Sequence, residues 1–593
     1  MGRRPMRHDV DCSVPETLIM LPEAKRPGSV ADDIIQTMLS GFHSTAEKKC
    51  GKALRSDPDN LHLKFLLAVT RTSQKNWTGA VTVLQELLSR APHHADSLFC
   101  LAKAQVELGR ISEALDNFRA GLSIKPDMAN ALAVSNILFD LGRVTDGVEV
   151  LRWAVDRFPE SADVHSALIS RQLLCPDLSN ETMSTEIERW RQRHGATRSN
   201  GIRLTNQRDP ERKLKVGYVS SSLGYYAPFG LWLQMLPILE HHDPQAVEIS
   251  LYGDARFNQA ELGPVWPLVK SCRDLQGLSD EEAARLIRDD QIDILVCLIG
   301  HTGGDRIGIF TYRAAPIQIN YDGLCSSGVD DMDYWLGDPV ATPEASSEKF
   351  GESILRLPHL FCFGPITDAP PVSPPPHTHN GGQIVFGNFN LASKISPQCV
   401  NAMAAILKQT QDSILVLKSR DKGYIHDAAR KAIIDQFIGE GILESRLKFL
   451  PPAPSQAEHL AQYSKIDIAL DSFPYSGCLT TFDALWMGVP VIALGDGDRF
   501  ISRMSKMLLH SANLDHLVAG DRNDYIAKAV ALAQAPSRLA DYRTSLRGTV
   551  TASPLCDIKA FTKSLEAAYR QIWQIWCSNP VQPASAELSE EPA

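Results

Sequence analysis

At 593 residues the chain is too long for one hydrophobic core and divides into several domains of ordinary size. Apolar residues make up 44% and charged residues 22%, and no run approaches the roughly 20 apolar residues of a membrane helix, so a membrane protein is excluded. A net charge of -10 over this length gives no basic footprint, so nucleic acid is not an expected partner.

Met1 to His8 carries positive charge without an apolar segment behind it, which predicts no secretory signal and a cytoplasmic location. Twelve cysteines are scattered with no CxxC pair. That pattern argues against a disulfide framework and a structural zinc site.

Pro58, Pro92, Pro126 and Pro159 follow one another at intervals of 34, 34 and 33 residues, the period of tetratricopeptide helical hairpins. Within the unit from Ala95 to Pro126, small Ala102, Gly109 and Ala114 let two helices approach, while Leu101 and Phe118 fill the space between them. Leu108-Gly109-Arg110 turns the chain and proline ends the second helix. Leu67, Ala68, Ala80 and Leu84 repeat the scheme before it, and Leu141-Gly142-Arg143, Val148 and Leu151 after it. Residues 32–58 read as part of a further, degenerate repeat. Such a stack presents a groove to a protein or peptide partner, or serves to form a homodimer.

From Lys213 the pattern changes to short apolar strands alternating with helices, as in parallel α/β sheets. Strands are expected at 214–220, 247–252 and 292–299 in a first lobe. A Pro/Gly-rich stretch follows, and a second series at 384–390, 413–418, 447–450, 466–471 and 489–494 forms a second lobe. The expected organisation is a tail at 1–30, repeats at 31–160, a helical linker at 161–212 and a first lobe at 213–365. A connector at 366–382, a second lobe at 383–577 and a disordered tail at 578–593 complete it.

Neither lobe carries GxGxxG or a GxxxxGK[ST] phosphate loop, which weakens dehydrogenase and ATPase readings. In sheets of this kind ligands sit beyond the carboxyl ends of the strands. There, Asp471 to Asp483 leads from a strand into a helix, placing Thr480 and Thr481 where a helix start favours phosphate, with Asp483 one turn further in, within reach of a ribose hydroxyl.

Three segments in order, Phe386-Gly-Asn-Phe-Asn with Lys394-Ile-Ser-Pro, then Asp471-Ser-Phe-Pro-Tyr-Ser-Gly with Leu479-Thr-Thr, then Leu485-Trp-Met-Gly-Val-Pro-Val, resemble known enzymes. They are similar to the catalytic region of the protein O-linked N-acetylglucosamine transferases and the SPINDLY protein O-fucosyltransferases. The resemblance runs from Lys213 to Trp576. It implies a tetratricopeptide α-solenoid followed by a two-lobed GT-B, double Rossmann-like, glycosyltransferase. It also implies a nucleotide-sugar donor, with UDP-N-acetylglucosamine preferred to GDP-fucose, Ser/Thr hydroxyls of a protein as acceptor, no permanently bound cofactor and no metal.

On that resemblance Lys394 offsets charge growing on the leaving diphosphate, which an enzyme without a metal needs. His459 lies beside the nucleotide base, and Arg499 belongs to a segment bordering the donor phosphates. Asn388, Leu479, Thr480, Thr481 and Asp483 complete the donor set. In the first lobe His301, in a glycine-flanked loop, is either a contact for sugar or acceptor or a hydrogen-bonded structural residue. Where the family usually has a histidine after the first strand, this chain has Tyr226, a poor base at neutral pH. The loop from Tyr321 to Gly328 departs from the family pattern as well. Two alternatives therefore stand beside protein glycosyl transfer: a repeat scaffold with a non-catalytic transferase domain, and transfer to a small molecule or glycan.

Overall fold

The computed structural model of the chain describes residues 29–198, 202–224, 230–254, 257, 259–302, 306–419 and 423–579. Tyr226 and the two expected tails, apart from the inner two residues of each, lie outside the described residues. The chain forms two compact units, one built chiefly from residues up to Phe139 and the other chiefly from Pro159 onward.

Helical hairpins make up the first part of the chain: Val30–Leu39 with His43–Ser56, Leu61–Ser73 with Trp77–Arg90, Ala95–Glu107 with Ile111–Ile124, and Met128–Asp140 with Val144–Arg157. Each expected proline stands two residues past the end of a second helix. A left-handed residue opens each hairpin turn, at Gly41, Lys75, Gly109 and Gly142, with φ of 79°, 61°, 73° and 72°. Glycine adopts that conformation without a Cβ clash. Lys75 occupies the same place despite its side chain, and Gly41 shows that the degenerate first repeat is a complete hairpin. Asn60 and Asn76 cap the two helices of the second hairpin by accepting from Leu63 N and Gly79 N, both at 3.0 Å. Small Ala68 and Ala80 and large Leu66 and Leu84, all fully buried, supply the close approach and the filling that the repeat pattern requires.

The second unit holds two sheets. The first contains β1 (Leu214–Val219), β2 (Val247–Gly253), β3 (Ser271–Asp274), β4 (Ile294–Cys297), β5 (Ile317–Asn320), β6 (Tyr334–Gly337) and β7 (Ser353–Arg356), in the order β3-β2-β1-β4-β5-β6-β7. The second contains β8 (Val385–Asn388), β9 (Ile414–Leu417), β10 (Leu447–Phe449), β11 (Ile468–Leu470), β12 (Val491–Leu494) and β13 (Val518–Ala519), in the order β10-β9-β8-β11-β12-β13. Every pairing is parallel, with Val216 of β1 beside both Ile249 and Ile294. Both orders are doubly wound. Each therefore reverses direction between its first and fourth strands, which fixes the crevice where ligands bind.

Two segments extend beyond their expected domains. The stretch after the repeats is part of the core of the second unit: Ile169, Met183, Ile187 and Trp190 are buried in the same cluster as the two sheets. The last helix, Ile558–Ser578, leaves the second lobe for the first. Its Tyr569 hydroxyl lies 3.3 Å from that of Tyr218 in β1, Glu566 pairs with His242 at 2.9 Å, and Arg208 stacks 3.9 Å from the centre of the Trp576 ring. The apolar face of that helix, including Phe561, Leu565, Ile572 and Trp573, needs a partner, and the flank of the first sheet supplies one. Within the connector, His377 is buried and bonded through Nδ1 to Asp467 at 2.8 Å. No helix among the described residues is long and apolar enough to cross a membrane.

Candidate active site between the two sheets

The loops after β8 and β11 flank the reversal point of the second sheet and are tied together by their own side chains. Asn388 Nδ2 donates to the Leu470 carbonyl at 2.8 Å, and its Oδ1 accepts from Asn390 N at 3.1 Å. Asn390 then donates to Asp471 Oδ1 at 3.1 Å and accepts from the Thr480 hydroxyl at 2.6 Å. Asp471 Oδ1 also accepts from Gly477 N at 2.8 Å. A Cβ at Gly477 would come within 2.6 Å of Thr481 Oγ1 and 2.9 Å of Asp471 Oδ1, so only glycine fits this turn.

Lys394 sits on the short turn that follows. Its ammonium donates to the Ser476 carbonyl at 2.9 Å and lies 3.8 Å from the centre of the Tyr475 ring. Burial lowers its pKa to about 8, with Asp471 pulling the other way. The lysine is still mainly protonated at neutral pH, and an arriving anion would strengthen that charge.

A cavity of about 260 Å³ opens in front of it. The second lobe contributes Asn390, Lys394, Tyr475, Cys478, Leu479 and Thr480, and the first lobe Gln234, Ile299, Thr302, Asp322 and Leu324. The helix Leu479–Trp486 starts at the cavity wall, so its free N–H groups and positive end add to the field of Lys394.

The predicted residues separate into a lining and a support. Lys394, Leu479 and Thr480 line the cavity. Asn388 is 1% exposed and shapes the loop from behind, and the side chain that reaches the cavity is Asn390. Thr481 is 2% exposed and bonds Ser505 Oγ at 2.7 Å, which in turn donates to the Gly477 carbonyl at 3.0 Å.

His459 and Asp483 form a buried chain with Lys418, a residue the sequence did not single out. Lys418 Nζ donates to His459 Nδ1, which leaves the ring proton on Nε2 to be donated to Asp483 Oδ2 at 3.1 Å. Gln456 also donates to Asp483, at 3.4 Å. Asp483 is 1% exposed and faces His459 rather than the cavity. The His459 ring packs edge-on against Tyr463, whose hydroxyl donates to the Thr480 carbonyl at 3.1 Å.

His301 is buried and hydrogen-bonded through both ring nitrogens. It is 3% exposed, Nε2 donates to the Ser327 carbonyl at 2.9 Å, and Nδ1 accepts from Ser166 Oγ at 3.0 Å. Its ring stands edge-on to Trp190 at 4.9 Å, and burial lowers its pKa to about 3.

Arg499 is likewise outside the cavity wall. It precedes the helix Phe500–Ser511, whose first N–H is taken by Glu348 of the first lobe, Phe500 N donating to Glu348 Oε2 at 2.6 Å. Beside it Asp498 accepts from Ser346 Oγ and Ser347 N, both at 3.1 Å, and from Asn180 Nδ2 at 3.2 Å. This segment joins the lobes. Buried beside those contacts, the Arg499 guanidinium has a nitrogen, Nη1, with no protein partner.

Asp471, Asn390, Tyr475 and Asp322 were not predicted as site residues. All four lie in segments that carry the family resemblance or depart from it, and for Asn390 and Asp471 a position one or two residues past a strand end was the available signal.

Comparison with known proteins agrees with this architecture. Residues 198–369 and 378–565 match glycosyl transferase family 41, and residues 41–121 match the anaphase-promoting complex, cyclosome, subunit 3 family. The Petunia hybrida protein named probable UDP-N-acetylglucosamine–peptide N-acetylglucosaminyltransferase SPINDLY is 34% identical over 388 residues, 63% of this chain and 40% of that protein. An Arabidopsis thaliana protein with the same enzyme name and the designation SEC is 28% identical over 391 residues, 64% of this chain and 39% of that protein. The chain thus spans about two fifths of the length of the curated relatives it matches. A solved lysine-to-methionine mutant of the Thermobaculum terrenum O-GlcNAc transferase is 29% identical, with a TM-score of 0.76 over 87% of this chain and 98% of that one. Because the family match runs through both sheets and more than half of the residues, the chain belongs to glycosyl transferase family 41.

Proposed function

We propose that this chain transfers a sugar from a nucleotide donor to a Ser or Thr hydroxyl of a protein, with UDP-N-acetylglucosamine as the donor. The observation that carries the reading is the half-buried Lys394, fixed by Ser476 and Tyr475 at the reversal point of a doubly wound sheet, beside a helix start. An anionic leaving group placed there meets a preset cation and free N–H groups, which is what departure of a diphosphate requires. N-acetylglucosamine is preferred because the relatives bear that donor in their names. Lys394 and the helix start provide the positive charge themselves, so turnover is expected to survive a chelator. Protein acceptors are favoured because the hairpin array offers a surface for an extended chain.

A screen of UDP-N-acetylglucosamine, UDP-glucose and GDP-fucose against protein acceptors, read by mass spectrometry, tests the reading. Transfer from UDP-N-acetylglucosamine that Lys394→Ala abolishes supports it. Transfer from GDP-fucose alone replaces the donor, and nucleotide binding without turnover on every donor supports a non-catalytic scaffold. Removing residues 1–160 should suppress transfer to protein, and undiminished transfer would point to a small acceptor.

A further inference from the structure

The first-lobe wall of the cavity carries a carboxylate that the donor site does not use. Asp322 stands two residues beyond the end of β5, at the carboxyl edge of the first sheet, and lines the same space as Lys394, Asn390 and Thr480. Its Oδ1 is buried and accepts no hydrogen bond from the protein. Burial raises its pKa to about 7. The ionisable groups around it are Lys394, Tyr475 and Cys478 from the second lobe and Tyr321 beside it in sequence. Burial pushes both phenols and the thiol well up, so all three stay neutral, and the cations described here are Lys394 and Arg171, the latter acting on Tyr475.

A buried carboxylate oxygen without a partner is costly, and folds retain that cost chiefly where chemistry uses it. Other described first-lobe candidates are already engaged. His301 has both nitrogens bonded, and the Tyr321 hydroxyl donates to the Leu360 carbonyl at 3.3 Å.

We propose that Asp322 is the catalytic base that receives the proton of the acceptor hydroxyl, an inference that rests on the glycosyl-transfer reading of the site. The acceptor oxygen bonds to the anomeric carbon as the bond from that carbon to the diphosphate oxygen breaks. The bonding pair leaves with the diphosphate, whose growing charge faces Lys394. The hydroxyl proton moves to Asp322. Atoms and charge balance with no further reactant. Donor and acceptor functions are thereby divided between the sheets, the cation behind the leaving group in one and the base on the opposite wall in the other.

Asp322→Asn keeps the shape and removes the base. With the full chain, kcat is expected to fall about 100- to 10,000-fold, while calorimetry gives UDP the wild-type affinity. The acidic limb of the kcat/KM profile near pH 7 should vanish, and the thermal midpoint should not drop, because Oδ1 has no hydrogen bond within the protein to lose. Asp322→Glu, which keeps the carboxylate, should restore part of the rate and an acidic limb. Wild-type kcat in Asp322→Asn overturns the assignment while leaving the glycosyl-transfer reading intact. Equal losses in both variants together with lost UDP binding make the residue structural and also overturn it. No wild-type turnover with any donor overturns the glycosyl-transfer reading and this assignment together.

Discussion

Replacing Lys394 by methionine tests the site through stability as well as through rate. Burial moves the ammonium from 10.5 to about 8, so the unfolded chain binds this proton more tightly than the folded one. The folded state therefore carries a penalty that is complete below pH 8, shrinks as pH rises between the two values, and vanishes above 10.5. At about 1.4 kcal/mol per pH unit the full penalty is about 3.5 kcal/mol, and water reaching the partly buried side chain reduces it to about half. Lys394→Met removes the titration. Its unfolding free energy relative to wild type should thus be higher at pH 7 than at pH 10 by about 1 kcal/mol. Urea denaturation followed by tryptophan fluorescence at both pH values measures this difference. In the same variant, sugar transfer should fall about 100- to 1,000-fold, the usual loss when one stabiliser of transition-state charge is removed. A stability difference that is flat or rises with pH would refute the burial argument. Transfer within tenfold of wild type would refute the role at the leaving group.

Other expectations follow from the same geometry. His301→Ala should destabilise the second unit by about 2–4 kcal/mol, through the space left beside Trp190 and the unsatisfied Ser327 carbonyl, with UDP affinity unchanged in calorimetry. Asp483→Ala removes the acceptor for His459 Nε2–H and should weaken UDP binding about 10- to 100-fold, the worth of a hydrogen bond to a charged group. Burial holds His194 at about 4 and His301 at about 3, below their ordinary 6.5. Both are neutral when folded and bind protons when unfolded, so stability present above pH 6.5 is lost as pH falls toward those values. Thermal midpoints between pH 7.5 and 5 should fall more steeply for wild type than for His194→Phe.

The repeats were legible because their constraint is local. A proline two residues past each second helix and a left-handed residue in each turn leave marks at fixed spacing, and only Lys75 obscures the pattern. The donor loops were legible for a similar reason, since Gly477, Asp471 and Thr480 crowd one turn and few residue types fit. Strands β3, β5, β6, β7 and β13 were not predicted: β3, β5 and β7 are broken by polar residues (Ser-Cys-Arg-Asp, Ile-Gln-Ile-Asn, Ser-Ile-Leu-Arg) and β13 has two residues, whereas equally short β4, β9 and β12 lie inside longer apolar runs. A short run without such an apolar setting shows no pattern to distinguish it from a loop. The roles of His301 and Asp483 depend on Ser166, Ser327 and His459, which lie 24 or more residues away and are brought together only by the fold. Asp322 follows one of the unrecognised strands, so its place at a sheet edge was hidden as well.

The crossing helix at 558–578 also bears on how the chain is made. Tyr569 reaches Tyr218 in β1, an interior strand of the first sheet, 351 positions earlier in sequence. The ribosome therefore delivers β1 long before the side chain that packs on it. The hairpin array, whose contacts are between neighbours, can fold as it emerges. The first sheet must wait with an apolar flank uncovered until the last helix is released. In a cell, chaperone demand should thus concentrate on the interval between synthesis of β1 and synthesis of that helix, and chains interrupted before residue 558 should be aggregation-prone despite containing every residue of the cavity.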